Sequence, residues 1–217
     1  MAESTLTLGY WPFGGLAQPA RYIFEYYKVP FTNKTYTDRE TWFGTDKPAL
    51  NTPLANLPYI KDGDVVITES VAVYQYAALK ANPELRGKTD LDKIYVSQVY
   101  GVLCDLKEKV VPLAFNPDFE KIKVEKLKET VDPLLAKLSS KLGDQEYLIG
   151  YITYVDFIAF YFCEMLQRMN APTLEAYPNL VKLVERFNNN ENIKAYKASD
   201  RYNKGFLPPS AGFSGNQ

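Results

Sequence analysis

No histidine occurs among the 217 residues. That absence removes Ser-His and Cys-His nucleophilic pairs, histidine metal sites and imidazole general bases together. Cysteine is nearly as scarce. The only two, Cys104 and Cys163, fall in helical stretches, so neither a structural disulfide nor a metal site is expected of them. An excess of one charge is also lacking: 25 basic residues against 26 acidic ones leave a formal net charge of −1, and no basic field exists to gather nucleic acid. No apolar run approaches the roughly 20 residues that cross a bilayer, so no membrane partner is expected. The opening MAESTLTL is polar and carries no apolar signal core, from which a cytoplasmic protein is expected. Chemistry is left to Tyr, Asp/Glu, Lys/Arg, Ser/Thr or a bound cosubstrate.

What is present is a chain 46% hydrophobic with 17 tyrosines, enough apolar material for one large domain or two packed small ones. Residues 5–81 alternate strand and helix signals. TLTLGY (5–10) reads as a strand, and LAQPARYIFEYYK as a helix with Leu16, Ala20, Ile23, Phe24 and Tyr27 at helical spacing. FTNKTY (31–36) is a second strand, and RETWFGTDK a short helix or irregular segment. YIKDGDVVI (59–67) is a hairpin turning at Asp62-Gly63, and a further helix follows TES. The order is βαβ then ββα, a small mixed sheet with helices on it.

NPELRGKTD (82–90) combines Pro, Gly and charge, and marks the boundary between a first domain at 1–82 and a second at 91–217, with 83–90 as linker. Beyond it the pattern is all helical, with amphipathic runs near 90–115, 119–142, 153–169, 178–187 and 191–198. Pro112 and Pro133 are expected to kink or break two of these runs. In ITYVDF, Thr153 and Asp156 form a capping-box pattern, and the helix they open is apolar nearly all round, a buried centre rather than a site.

Two stretches look chemical. In GYWPFGGLA, a phenol, Tyr10, stands where a strand gives way to a glycine turn and a helix. In ANLPYIKDGDVVITES (55–70), Glu69-Ser70 stands where a strand gives way to a helix. Ser70 reads equally as a plain helix cap or as part of a seat for a carboxylate.

The order LGYW…GLA…R…EY (8–26), NLPY…DG…ITES (56–70), FNPDFEK (115–121), ITYVDF (152–157) and AYPNL (176–180) resembles the cytosolic glutathione transferases, most nearly their mu class, over almost the whole chain. The resemblance implies a thioredoxin-like α/β N-terminal domain, an all-α C-terminal domain, and glutathione as cosubstrate without a metal. It implies that Tyr10 donates a hydrogen bond to the glutathione sulfur, with Trp11 and Leu16 lining the site. Trp42 and Lys47, with Arg39 behind them, match residues that hold the glycyl carboxylate. Asn56 and Leu57 match contacts to the cysteinyl part, with Pro58 in a cis peptide, and Glu69 and Ser70 match the pair that receives the γ-glutamyl end. Asp105 matches an acid that reaches the glutathione of the other subunit, which implies a homodimer.

By the same analogy the electrophile pocket draws on Phe13, Leu16, Val111, Phe115 and the tail near Phe213, and on Glu108 at its mouth, although a solvated face is the preferred reading for Glu108. The chain departs from the mu pattern in three places. The stretch between Tyr36 and Trp42 is short, and Leu54 replaces a phenylalanine that enters the partner subunit. Phe115 replaces a tyrosine that assists epoxide opening, so weak activity on epoxides is expected. Cys104 reads as a structural thiol. The resemblance leaves a glutathione-dependent isomerase of prostaglandin type and a non-catalytic carrier of hydrophobic ligands as the rival readings.

Overall fold

A computed structural model describes residues 6–215. Thr5, expected to open the first strand, and the outermost ends of the two expected domains (1–5 and 216–217) lie outside the described residues. The N-terminal half contains β1 (Leu6–Tyr10), α1 (Gln18–Tyr26), β2 (Thr32–Thr35), α2 (Lys47–Ala49), β3 (Tyr59–Asp62), β4 (Val65–Thr68) and α3 (Ser70–Ala81). The strands lie in the order β2-β1-β3-β4. β1 runs parallel to β2 and antiparallel to β3, and β3 pairs antiparallel with β4 across a two-residue turn at Gly63-Asp64, one residue later than the sequence suggests. Gly9 sits opposite Tyr59, and a Cβ there would lie 2.1 Å from the tyrosine ring, so only glycine lets this ring cross the strand.

The C-terminal half contains α4 (Asp90–Phe115), α5 (Phe119–Lys126), α6 (Asp132–Leu142), α7 (Tyr154–Met169), α8 (Ala171–Glu175), α9 (Pro178–Asn188) and α10 (Glu191–Lys197). The fold is thus a thioredoxin-like α/β domain followed by an all-helical one. In α7 every residue from 154 to 166 is buried, as its apolar circumference requires. Its entry is fixed by Asp156, whose Oδ2 accepts the Thr153 N–H and Oγ1–H at 2.8 Å each while Oδ1 accepts the Leu148 N–H at 2.8 Å.

Two details differ from expectation. Pro112 does not end its helix, because it lies one turn from the C-terminus of α4 and forfeits only one internal bond there. The short α8 was not expected, since five residues carry no period to read. The 119–142 run is broken near Pro133 as expected: the proline stands in the first turn of α6, and a wide turn at Leu127–Val131 separates α6 from α5. The segment between the halves is tied down: Leu85 is buried, and the Tyr151 hydroxyl accepts the Lys88 N–H at 2.9 Å and donates to Asp92 Oδ2 at 2.9 Å.

The halves meet along α1, which packs on α3 on one side and on α7 and α10 on the other. At this junction the Tyr22 hydroxyl donates to Glu164 Oε2 at 2.8 Å. Lys197 holds the other oxygen of the same carboxylate, and its Nζ lies 4.8 Å from the Phe160 ring centre.

Candidate active site

Tyr10 ends β1, and 7% of it is exposed. Its hydroxyl accepts the backbone N–H of Leu16 at 3.2 Å. The chain reaches that position only by turning sharply at Gly15, whose φ is +47°. A Cβ on Gly15 would lie 2.5 Å from the Tyr10 ring, so the turn and the phenol are matched to a glycine.

Two further groups hold the turn. The N–H groups of Gly14 and Gly15 donate to the carbonyls of Gly205 and Phe206 at 2.8 Å each, so the C-terminal tail clamps it from outside. From within, Arg21 Nη1 donates to the carbonyls of Phe13 (3.0 Å) and Gly14 (3.2 Å), and Nε to Asn33 Oδ1 on β2 (3.0 Å). Arg21 is fully buried, and its guanidinium lies 6.0 Å from the centre of the Tyr10 ring.

Burial pushes the Tyr10 hydroxyl above its ordinary value, against the smaller opposing effects of the Leu16 N–H and the Arg21 charge. Tyr10 is therefore a neutral phenol at physiological pH, unsuited to be a base. With a lone pair engaged by Leu16, its own hydrogen is left to donate to an acceptor in the cleft.

That hydroxyl stands at the wall of a cavity of about 390 Å³ between the two halves. Phe13, Leu16, Val111 and Phe115 all line it, and so does Glu108, expected on a solvated face. Phe213 does not: its ring packs 5.4 Å from Phe119 and 6.4 Å from Phe206, and the tail presents Leu207 and Pro208 to the cavity instead. The expectation for Phe213 failed because an irregular tail has no period to say which residue turns inward. Tyr161, Phe162 and Met165 of α7 and Lys107 of α4 also form the wall. Sequence reasoning missed them because α7 reads as core on every face.

The other candidates form two groups. Leu57-Pro58 is a cis peptide, and it sets Asn56 beside the N-terminus of α3. Asn56 Nδ2 donates to Glu69 Oε1 at 3.0 Å, and Asn56 Oδ1 accepts the Leu57 N–H at 2.9 Å. Glu69 is a non-glycine residue at φ +65°, a conformation that turns the chain from β4 into α3 at Ser70.

In the second group Trp42 is buried, stacked on Tyr59 at 5.9 Å with Tyr36 beside it, so its ring belongs to a small satellite core. Arg39 and Lys47 flank the half-exposed Phe43 ring at 4.9 and 5.6 Å, and among the described residues neither forms an ion pair. Trp11 meets Tyr36 edge-on at 6.4 Å and also lines the large cavity. Asp105 is exposed on α4, and Leu54 is 66% exposed. Both cysteines are free, and burial pushes the Cys163 thiol up to about 12.

Comparison with known proteins places this geometry. Residues 104–200 match the family described as glutathione S-transferase, C-terminal domain. The chain is 38% identical over 205 residues to glutathione S-transferase Mu 2 of Macaca fuscata fuscata, covering 91% of this chain and 92% of that one. Among solved structures, the pi-class glutathione S-transferase of Onchocerca volvulus shares the fold with a TM-score of 0.83 at 21% identity, over 95% of this chain and 99% of that one. The rat hPGDS complexed with a quinoline gives a TM-score of 0.75 at 26% identity, over 91% and 99%.

Proposed function

The chain belongs to the glutathione S-transferase family and is a transferase; on that premise we propose that it binds glutathione with the sulfur at Tyr10 and joins it to hydrophobic electrophiles held in the 390 Å³ cavity. The observation that carries this reading is the Tyr10 phenol, buried, held by the Leu16 N–H and bordering an apolar cavity.

Glutathione brings two carboxylates, an ammonium and a thiol. Arg39 and Lys47, without acidic partners among the described residues, suit the glycyl carboxylate. The Ser70 end of α3 suits the γ-glutamyl carboxylate, since its first N–H groups and its dipole face outward there. Glu69, and Asp105 from a second subunit, suit the ammonium. A homodimer is consistent with the large exposed apolar residues Leu54, Leu91 and Ile94. Trp42 acts through packing, by holding the segment that carries Lys47. We place the protein in the cytoplasm.

A free thiol titrates near ~8.5, and lowering it by about two units takes ~2.7 kcal/mol of preference for the thiolate. One phenolic donor in a water-poor wall supplies most of that. Tyr10 keeps its proton throughout: because its own value is raised, the rise of activity with pH belongs to the glutathione thiol. The thiolate then attacks the acceptor carbon, and the leaving group departs with its bonding electrons. Phe115 offers no hydroxyl to an opening epoxide, so aromatic substitution should exceed epoxide opening.

The test is the thiolate absorbance of bound glutathione against pH, in the wild type and in Tyr10→Phe. The wild type should ionise the thiol one to three units below ~8.5, and the variant near the free value. A thiol that titrates as in water would make the protein a carrier. Product with unchanged mass would make it an isomerase.

A further inference from the structure

Among the described residues lining the large cavity, Lys107 is the only cation. It is half-buried and also borders a small pocket shared with Leu16, Ser70 and Cys104, so it stands between the glutathione end of the cleft and the apolar end. Among the described residues no carboxylate pairs with it. Its neighbour Glu108 lines the same cavity, but it is exposed, lies about 100° further around the helix and forms no ion pair with Lys107. Nearby hydroxyls offer it no anion: Tyr161 donates to the Phe206 carbonyl at 3.0 Å, and Phe115 has none. An ammonium set against apolar walls without a counter-ion is stabilised when a ligand brings one.

We infer that Lys107 makes this cavity selective for electrophiles that carry a negative charge, a carboxylate above all, on an otherwise apolar body. The inference rests on the conjugation reading given above. Lys107 is not consumed in the reaction. It pairs with the acceptor's carboxylate while the glutathione sulfur forms its bond to the electrophilic carbon, the leaving group takes the bonding electrons, and the thiol proton goes to solvent.

Two acceptors that differ only in charge test it: 4-chloro-3,5-dinitrobenzoate and its methyl ester, each conjugated by the purified full-length protein with loss of chloride. With each rate referred to the uncatalysed reaction, the wild type should favour the carboxylate. Lys107→Met should lower the carboxylate-to-ester ratio of kcat/KM about fivefold, through the acceptor's KM, and Lys107→Arg should keep the ratio. A second measurement needs no variant: inhibition of the wild type by 3,5-dinitrobenzoate should weaken as salt rises, while inhibition by its methyl ester should not. Equal response of the two acceptors to Lys107→Met, or salt-independent inhibition by the acid, would overturn the inference and leave conjugation standing. A change confined to the KM of glutathione would overturn it too, by assigning Lys107 to the peptide. If neither acceptor is conjugated, the conjugation reading falls and this assignment with it.

Discussion

The two walls of the cleft are built by different means. On the sheet side, position is set by the backbone: a glycine at positive φ under Tyr10, a cis peptide at Leu57-Pro58 and a positive φ at Glu69 bring short neighbouring segments together. On the helical side, position is set by packing. Val111, Phe162 and Leu207 come from α4, α7 and the tail, and none is held in place by a special backbone state. A wall fixed by backbone tolerates little substitution and keeps one geometry, which suits the part that handles an invariant cosubstrate. A wall made of apolar side chains can change residue by residue without moving the phenol, which suits a variable acceptor. The division assigns chemistry to one half and choice of acceptor to the other.

The strongest way to break that division is at the junction of the halves. Removing the Lys197 ammonium leaves the Glu164 carboxylate, whose side chain is 7% exposed, with Tyr22 as its remaining donor. Breaking a buried pair on one side costs about 3 kcal/mol. Lys197→Met should therefore lower the unfolding midpoint in urea strongly, while kcat/KM of the protein that remains folded stays near wild type. A large loss of activity at full foldedness would show that the junction tunes Tyr10 directly, and the separation of roles would fail.

Gly15→Ala gives the next largest effect and tests the backbone wall alone. The new Cβ would lie 2.5 Å from the Tyr10 ring and 2.7 Å from its hydroxyl, at a φ of +47°. Strain of this kind costs about 1–2 kcal/mol in stability. The displaced phenol should lower kcat/KM by about tenfold or more. It should also raise the pH at which bound glutathione ionises. If that titration does not move, Tyr10 is positioned by something other than the turn.

The same difference explains what was legible from sequence. Tyr10, Gly15, Asn56, Pro58 and Ser70 stand in short contiguous motifs whose backbone demands leave a mark on residue type. The order of strands and helices along the chain and the helical runs followed from alternation, turn residues and period, whereas the order of strands across the sheet did not. Arg21 enters the sequence reading only as one letter of the first motif and without a role, because it sits among Ala20, Tyr22 and Ile23, where only the fold shows that a cation is enclosed and bonded to the carbonyls of Phe13 and Gly14. Trp42 matches a glycyl-carboxylate residue by resemblance, and the fold adds that its ring fills a satellite core, which no local pattern announces. The far wall was least legible. Phe162 and Met165 are buried like the rest of α7, and nothing in an apolar helix marks which residues face a cavity.

The smallest effect is the sharpest test of the helical wall. Val111 is half-buried and lines the cavity from α4 beside Pro112, with no hydrogen bond from its side chain to lose. Val111→Ala removes two methyl groups from a surface that touches the acceptor, worth about 1.6 kcal/mol if both were fully covered and less where the acceptor covers them in part. The expected outcome is a two- to fivefold change in the KM of a bulky apolar acceptor. The KM of glutathione and the pH of its thiol ionisation should stay unchanged, because the Gly14–Gly15 turn is held by the carbonyls of Gly205 and Phe206 and by Arg21. Steady-state kinetics with each substrate varied in turn separates these quantities. A shift in the thiol titration would mean that helical packing reaches the phenol, and the two walls would then be one unit.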